Sequence, residues 1–175
     1  MKLIETKLSG VFIVELKPFI DERGFYKRVW GSDEFKDLGL DAELNSVGLS
    51  NNRRRGTVRG MHYQVEPFVE TKLVQCTRGR IYDVVLDIRK DSKTFGEWIS
   101  AELTAENNKA FYIPKGLAHG FQSLEDDSDV LYCISEKYDP QAARGVRWND
   151  PQFGIQFPLE VSVINERDAN YPDFI

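Results

Sequence analysis

Turn-forming residues recur along this chain at intervals of roughly 8–12 residues, separated by short runs rich in Val, Ile, Phe and Tyr. That spacing leaves little room for long helices and is the spacing of a sandwich or barrel. Residues 10–16, 25–30, 57–64, 72–77, 80–88, 98–103, 110–113, 120–124 and 130–138 read as strands. Ser32 is placed to cap a short helix over residues 33–38, with Gly39 as its stop. The connection at Arg78-Gly79 is tight enough to predict a hairpin. No internal repeat, low-complexity stretch or linker interrupts the pattern. At 175 residues, one domain over residues 1–175 is expected, large enough to bury a core without disulfide staples. It is all-β, with a small helix near its start and an irregular C-terminal tail.

Composition narrows the function classes. The net charge of -5 argues against a general nucleic-acid binder, although a few local Arg and Lys can still hold a phosphate. Cys76 and Cys133 sit inside apolar, strand-like runs, so two buried free thiols and a reducing cytoplasm are expected, without a zinc site. The first residues, Met1-Lys2-Leu3-Ile4-Glu5, form no long apolar run; no signal peptide or membrane span is expected. The basic run Arg53-Arg54-Arg55 is flanked by Asn51, Asn52 and Gly56 and reads as a solvated turn.

Only two histidines occur, and both lie in Gly-flanked, aromatic-rich settings. His62 falls in Val58-Arg59-Gly60-Met61-His62-Tyr63-Gln64. His119 closes Ile113-Pro114-Lys115-Gly116-Leu117-Ala118-His119-Gly120-Phe121. Histidine is the side chain whose ordinary pKa lies near neutrality, which makes it the default proton shuttle. Lys72 and Asp83 interrupt otherwise apolar strands. They either face solvent or line a polar cavity at a barrel mouth. Arg59 and His62, three apart, would point to opposite faces of an ideal strand. Both reach one cavity only if the strand is kinked, and Gly60 is the place for that.

These motifs, together with Asp21-Glu22-Arg23-Gly24-Phe25, Lys72-Leu73-Val74, residues 83–89 and Trp148-Asn149-Asp150, occur in the order found in the dTDP-4-dehydrorhamnose 3,5-epimerase family. The chain resembles that family over nearly its whole length. The resemblance implies a cupin-type jelly-roll barrel, a homodimer that shares N-terminal strands, and a nucleotide diphosphate 4-keto-6-deoxy sugar as substrate. It implies no metal and no organic cofactor. Inverting a carbon beside a ketone requires a base, a stabiliser for the enolate oxygen and an acid on the opposite face. By resemblance the base is His62, oriented by Asp168. Lys72 stabilises the oxygen and Tyr132 donates the returning proton. Arg23, Arg59 and His119 match contacts to the diphosphate or sugar, where the planar fork of Arg suits phosphate. Tyr138 matches an aromatic that stacks on the base, and Gln64 and Arg28 join the binding set.

The chain also departs from the family. Val47-Gly48-Leu49-Ser50-Asn51 stands where many members carry Gln-Asp-Asn-His-Ser. Arg28 stands at a nucleotide-contacting Glu, Cys133 at a Lys and Ala143 at a Glu. These changes fall on recognition, and the four candidate catalytic residues are kept. Three other readings compete. A 3,4-ketoisomerase of the same barrel type would use similar residues to move the carbonyl. A metal-dependent cupin would exploit the Pro114-x-Gly116-x-x-His119 motif. Two histidines cannot supply a three-histidine site, however, and the spacing for two histidines and a carboxylate is missing. A sugar-binding barrel without activity is the third.

Overall fold

In the computed structural model, which describes residues 1–175, the chain is built from strands with two short helices. The strands are β1 (Lys2–Glu5), β2 (Phe12–Glu15), β3 (Pro18–Asp21), β4 (Gly24–Lys27), β5 (Ser46–Asn52), β6 (Val58–Gln64), β7 (Lys72–Arg78), β8 (Arg80–Asp87), β9 (Trp98–Thr104), β10 (Lys109–Ile113), β11 (Leu117–Ser123), β12 (Ser128–Ile134) and β13 (Ala143–Gly145). The helices are α1 (Ser32–Asp37) and α2 (Glu166–Ala169). No helix is long and apolar enough to cross a membrane.

A six-stranded sheet runs β1-β2-β10-β7-β12-β5 and a five-stranded sheet runs β13-β6-β11-β8-β9. From β5 to β12 every connection except β8–β9 switches sheets, which is the winding of a jelly roll. The expected fold is therefore the observed one. The Arg78-Gly79 turn is not a hairpin, however. β7 pairs with β10 and β12, while β8 pairs with β11 and β9. Gly79, at φ +71°, turns the chain from one sheet to the facing one. A short turn signal reports a reversal but not which sheet the next strand joins.

The alternation of side chains sorts three apolar clusters. Val74, Cys76, Ile81, Val85, Phe111, Phe121 and Val130 fill the space between the sheets. Leu73, Ala110, Tyr112 and Cys133, on the outer face of the six-stranded sheet, pack against fully buried Phe35 of α1. Val84, Leu86, Met61 and Ala118, outside the five-stranded sheet, are covered by Val146, Phe153 and Ile155 of the tail. One residue out along a strand thus moves a side chain from the central core to an outer layer. Both thiols are free and buried, and burial pushes the Cys76 thiol up to about 12.

Ser32 does not cap α1. Gly31 occupies the N-cap with no side-chain hydrogen bond, and Gly39, at φ +71°, lies just past Leu38 at the C-cap. Four elements escaped the strand pattern, among them β13, which is three residues long. β1 and β3 are four residues long. β5 is an edge strand paired only to β12, and it carries Ser, Gly and Asn where a strand ordinarily has branched residues. β3 and β4 form a separate two-stranded ribbon. The basic run 53–55 is a turn, as expected, between β5 and β6. At the end of β8, buried Asp87 gathers Arg89 Nε and Nη2 at 2.9 and 2.7 Å, and the hydroxyls of Ser92 and Thr94 at 2.6 and 2.7 Å. This network ties down the loop before β9.

Candidate active site

A cavity of about 320 Å³ opens between the two sheets. The five-stranded sheet contributes Arg59, His62 and His119 to its wall. The six-stranded sheet contributes Ser46, Ser50, Lys72, Tyr132 and Ile134. Tyr138, Arg144 and Arg167 complete the rim.

Gly60 makes this convergence possible. It sits at φ +119°, a conformation open to glycine, and the β6–β11 register shifts opposite it, between His119 and Phe121. A Cβ at Gly60 would lie 2.5 Å from Gly120 Cα, so the two strands cross here without side chains. The expected kink is present, and Arg59 and His62 both reach the cavity. Beyond the kink, His62 and His119 are direct register partners.

The tail supplies the partner of His62. Asn165 caps α2 by accepting the Asp168 N–H at 2.7 Å, which fixes Asp168 in the first turn of α2. Asp168 is fully buried. One oxygen lies 2.8 Å from His62 Nε2, and the other accepts the Gly60 N–H at 3.0 Å. Burial works to raise its carboxyl, but the His62 hydrogen bond and charge, the Gly60 N–H and Arg167 hold it below the ordinary carboxylate range. Asp168 is thus an anion that takes Nε2 and leaves Nδ1 of His62 as the basic nitrogen. Tyr171 stands edge-on to His62 at 6.4 Å between centroids. It packs over Gly145, where a Cβ would lie 2.1 Å from the ring. No pattern in the tail singled out Tyr171.

Tyr132 is an inward residue of β12, with its ring centroid 6.3 Å from that of His119. Burial pushes its phenol well above the ordinary range. The Asp83 charge adds to this effect, while Ser50 and Arg59 oppose it. The phenol therefore carries its proton at neutral pH. Ser50 Oγ lies 3.4 Å from Tyr132 Oη, so a residue in the stretch that departs from the family touches the candidate acid. His119 Nε2 is 2.6 Å from Asp83 Oδ1. Asp83 is fully buried inside the barrel, where burial raises its carboxyl against the pull of His119. Lys72 Nζ lies 2.8 Å from Glu70 Oε1 and 3.4 Å from the His62 carbonyl. Glu70 was not anticipated.

Gln64 lines the cavity but plays a different part from the one expected. Its amide nitrogen bonds the Phe68 and Lys137 carbonyls and Glu70, and its oxygen accepts the Asp139 N–H. With its polar atoms committed to the protein, it is scaffold rather than ligand contact. Tyr138 falls just past β12 rather than within a strand, and is 63% exposed at the cavity mouth. Two expected binding residues are not in this chain's cavity. Arg23 is at the tip of the β3–β4 ribbon, bonded to Asp21, with a side chain 83% exposed. Arg28 is exposed after β4, its stem against Gly31. The ribbon lies outside the sandwich, which removes both from the wall. No group of three or more His, Cys, Asp or Glu side chains converges as a metal site would require.

A family model described as dTDP-4-dehydrorhamnose 3,5-epimerase matches residues 5–175. The dTDP-4-dehydrorhamnose 3,5-epimerase of Shigella flexneri is 37% identical over 176 residues, covering 100% of this chain and 97% of that protein. The solved dTDP-6-deoxy-D-glucose-3,5-epimerase of Legionella pneumophila, in complex with dTDP-4-keto-L-rhamnose, superposes with a TM-score of 0.90 at 35% identity, covering 96% of this chain and 89% of that one. A 3′-monoepimerase from Streptomyces bikiniensis in complex with dTDP-quinovose gives a TM-score of 0.89 at 33% identity, covering 96% and 85%.

Proposed function

The chain belongs to the dTDP-4-dehydrorhamnose 3,5-epimerase family, a family of isomerases, and we propose that it inverts C3 and C5 of a dTDP-activated 4-keto-6-deoxy sugar without a cofactor. The observation that carries this reading is the buried Asp168–His62 pair opening onto the cavity that also holds Lys72 and Tyr132. His62 removes the proton α to the C4 ketone. Asp168 keeps its ring oriented and stabilises the imidazolium, as the carboxylate of a catalytic triad does. The Lys72 ammonium faces the oxygen on which enolate charge develops; one preorganised donor of this kind is worth roughly 3–4 kcal/mol. Tyr132 returns a proton to the opposite face. Arg59 and His119 hold the diphosphate end, and Tyr138 stacks on the base.

The reading includes a homodimer. Phe19, Ile20, Phe25 and Tyr26 on the β3–β4 ribbon are each more than 60% exposed, and Val47 and Leu49 leave a second apolar strip on edge strand β5. An exposed apolar ribbon of this kind marks an interaction surface, and a two-fold partner buries it reciprocally. In that arrangement Arg23 serves the partner's cavity. A reducing cytoplasm suits the two buried thiols.

Inversion at C3 alone is the second reading, because the similar Streptomyces bikiniensis protein is a 3′-monoepimerase. Incubation with a dTDP-4-keto-6-deoxy sugar in D₂O, followed by NMR, separates the two. Deuterium at both C3 and C5 supports the double inversion, and deuterium at C3 only supports the second reading. No deuterium at either carbon rejects epimerase activity.

A further inference from the structure

We infer that Glu70 is a positioning residue for the reaction, holding the Lys72 ammonium in place through the Glu70–Lys72 ion pair in the cavity wall. This rests on the epimerase reading above. A lysine presents a point charge on a flexible four-carbon stem, so its usefulness as an oxyanion stabiliser depends on what fixes it. Here the fixing group is Glu70. Its Oε1 lies 2.8 Å from Lys72 Nζ, and both side chains are only 10% exposed. Its Oε2 accepts from Gln64 Nε2 at 3.1 Å.

The backbone is arranged to deliver this contact. Between the two residues, Thr71 turns the other way: its N–H bonds Ser135 Oγ at 2.8 Å and its hydroxyl bonds Asp41 at 2.9 Å. Glu70 and Lys72 are left facing the cavity together. Gln64 is in turn locked by the Phe68 and Lys137 carbonyls and the Asp139 N–H. The chain of contacts therefore runs from rigid backbone through Gln64 and Glu70 to the ammonium. An ammonium has three donors. One is spent on Glu70 and one points at the His62 carbonyl at 3.4 Å, leaving the third for a substrate oxygen. The second contact also ties the Lys72 position to the backbone that carries the candidate base.

The carboxylate has a second effect, since it offsets part of the positive charge that the enolate would feel. The inference is that orientation outweighs this offset, so loss of the carboxylate slows the reaction. The test is a double-mutant cycle on α-proton exchange in D₂O, with dTDP affinity and the thermal midpoint measured alongside. Glu70→Gln should lower kcat about tenfold, the difference expected when a charge-assisted bond becomes neutral, while KM and dTDP affinity stay within about twofold. In a Lys72→Met background, Glu70→Gln should change kcat by less than about twofold, because there is no longer an ammonium to position. If Glu70→Gln does not fold, Glu70→Asp, one methylene too short to bridge Gln64 and Lys72, takes its place in the cycle. A kcat at or above wild type, or the same tenfold loss with and without Lys72, overturns the inference and leaves the function standing. A wild-type enzyme that exchanges no proton overturns both.

Discussion

His62 Nε2 and Asp168 Oδ1 are 2.8 Å apart although 106 residues separate them in the chain. The same carboxylate accepts the Gly60 N–H at 3.0 Å, so one tail residue orients the ring of the candidate base and pins the kink that aims it. Asp168→Asn should reduce α-proton exchange by about 10²–10⁴-fold, the range of an oriented general base, with dTDP affinity nearly unchanged. Exchange within a few-fold of wild type would remove Asp168 from the mechanism.

Tyr132→Phe should separate the two halves of the reaction. His62 can still remove the proton, so exchange with solvent persists. Without an opposite-face donor the enolate is reprotonated from the side it came from, and net inversion falls much further than exchange. Equal losses in the NMR time course would point to a different acid.

Gly60→Ala tests the kink. Its Cβ would meet Gly120 Cα at 2.5 Å and the His119 carbonyl at 2.8 Å, at a φ of +119°. A cost of about 3 kcal/mol from strain and overpacking lowers the thermal midpoint by about 6–12 °C in a chain of this size, and exchange should fall with it. An unchanged midpoint in scanning calorimetry would mean that the crossing is more yielding than its geometry implies.

Mixing two inactive variants tests whether Arg23 crosses to the partner. Arg23→Ala and His62→Ala should each be poorly active. When the two are unfolded and refolded together, half the dimers are mixed and each mixed dimer has one complete site, so about a quarter of wild-type activity returns. If Arg23 serves its own chain's cavity, mixing restores nothing.

Acid stability should depend on Asp87. Burial works to raise its carboxyl, but Arg89, Ser92, Thr94 and the Arg89 N–H together hold it far below the ordinary range. A group depressed in the folded state contributes its full stability above its unfolded pKa, about 3.9, and loses it as pH falls toward the folded value. Asp87→Asn should therefore cost about 3 kcal/mol at pH 7, and its deficit against wild type should shrink below about pH 4. A deficit independent of pH in denaturant melts would assign the loss to packing alone.

Much of this protein is legible in its sequence. The turn spacing and period-two runs specify an all-β domain, because alternation is what a half-buried strand requires of its side chains. Gly60 between Arg59 and His62 announces the kink, since two residues three apart cannot share a face of a regular strand. Other features needed the fold. That Gly79 leads into the facing sheet, that Glu70 meets Lys72, and that Gln64 spends its amide on the scaffold are outcomes of which strands pair, which local propensity does not encode. The ribbon that carries Arg23 away from its own cavity is likewise a matter of topology. Asp168 shows the division most clearly. In the sequence it is one carboxylate in a polar tail, and only the packing of that tail across β6 buries it against His62, where the His62 ring and the Gly60 N–H outweigh the desolvation and keep it an orienting anion.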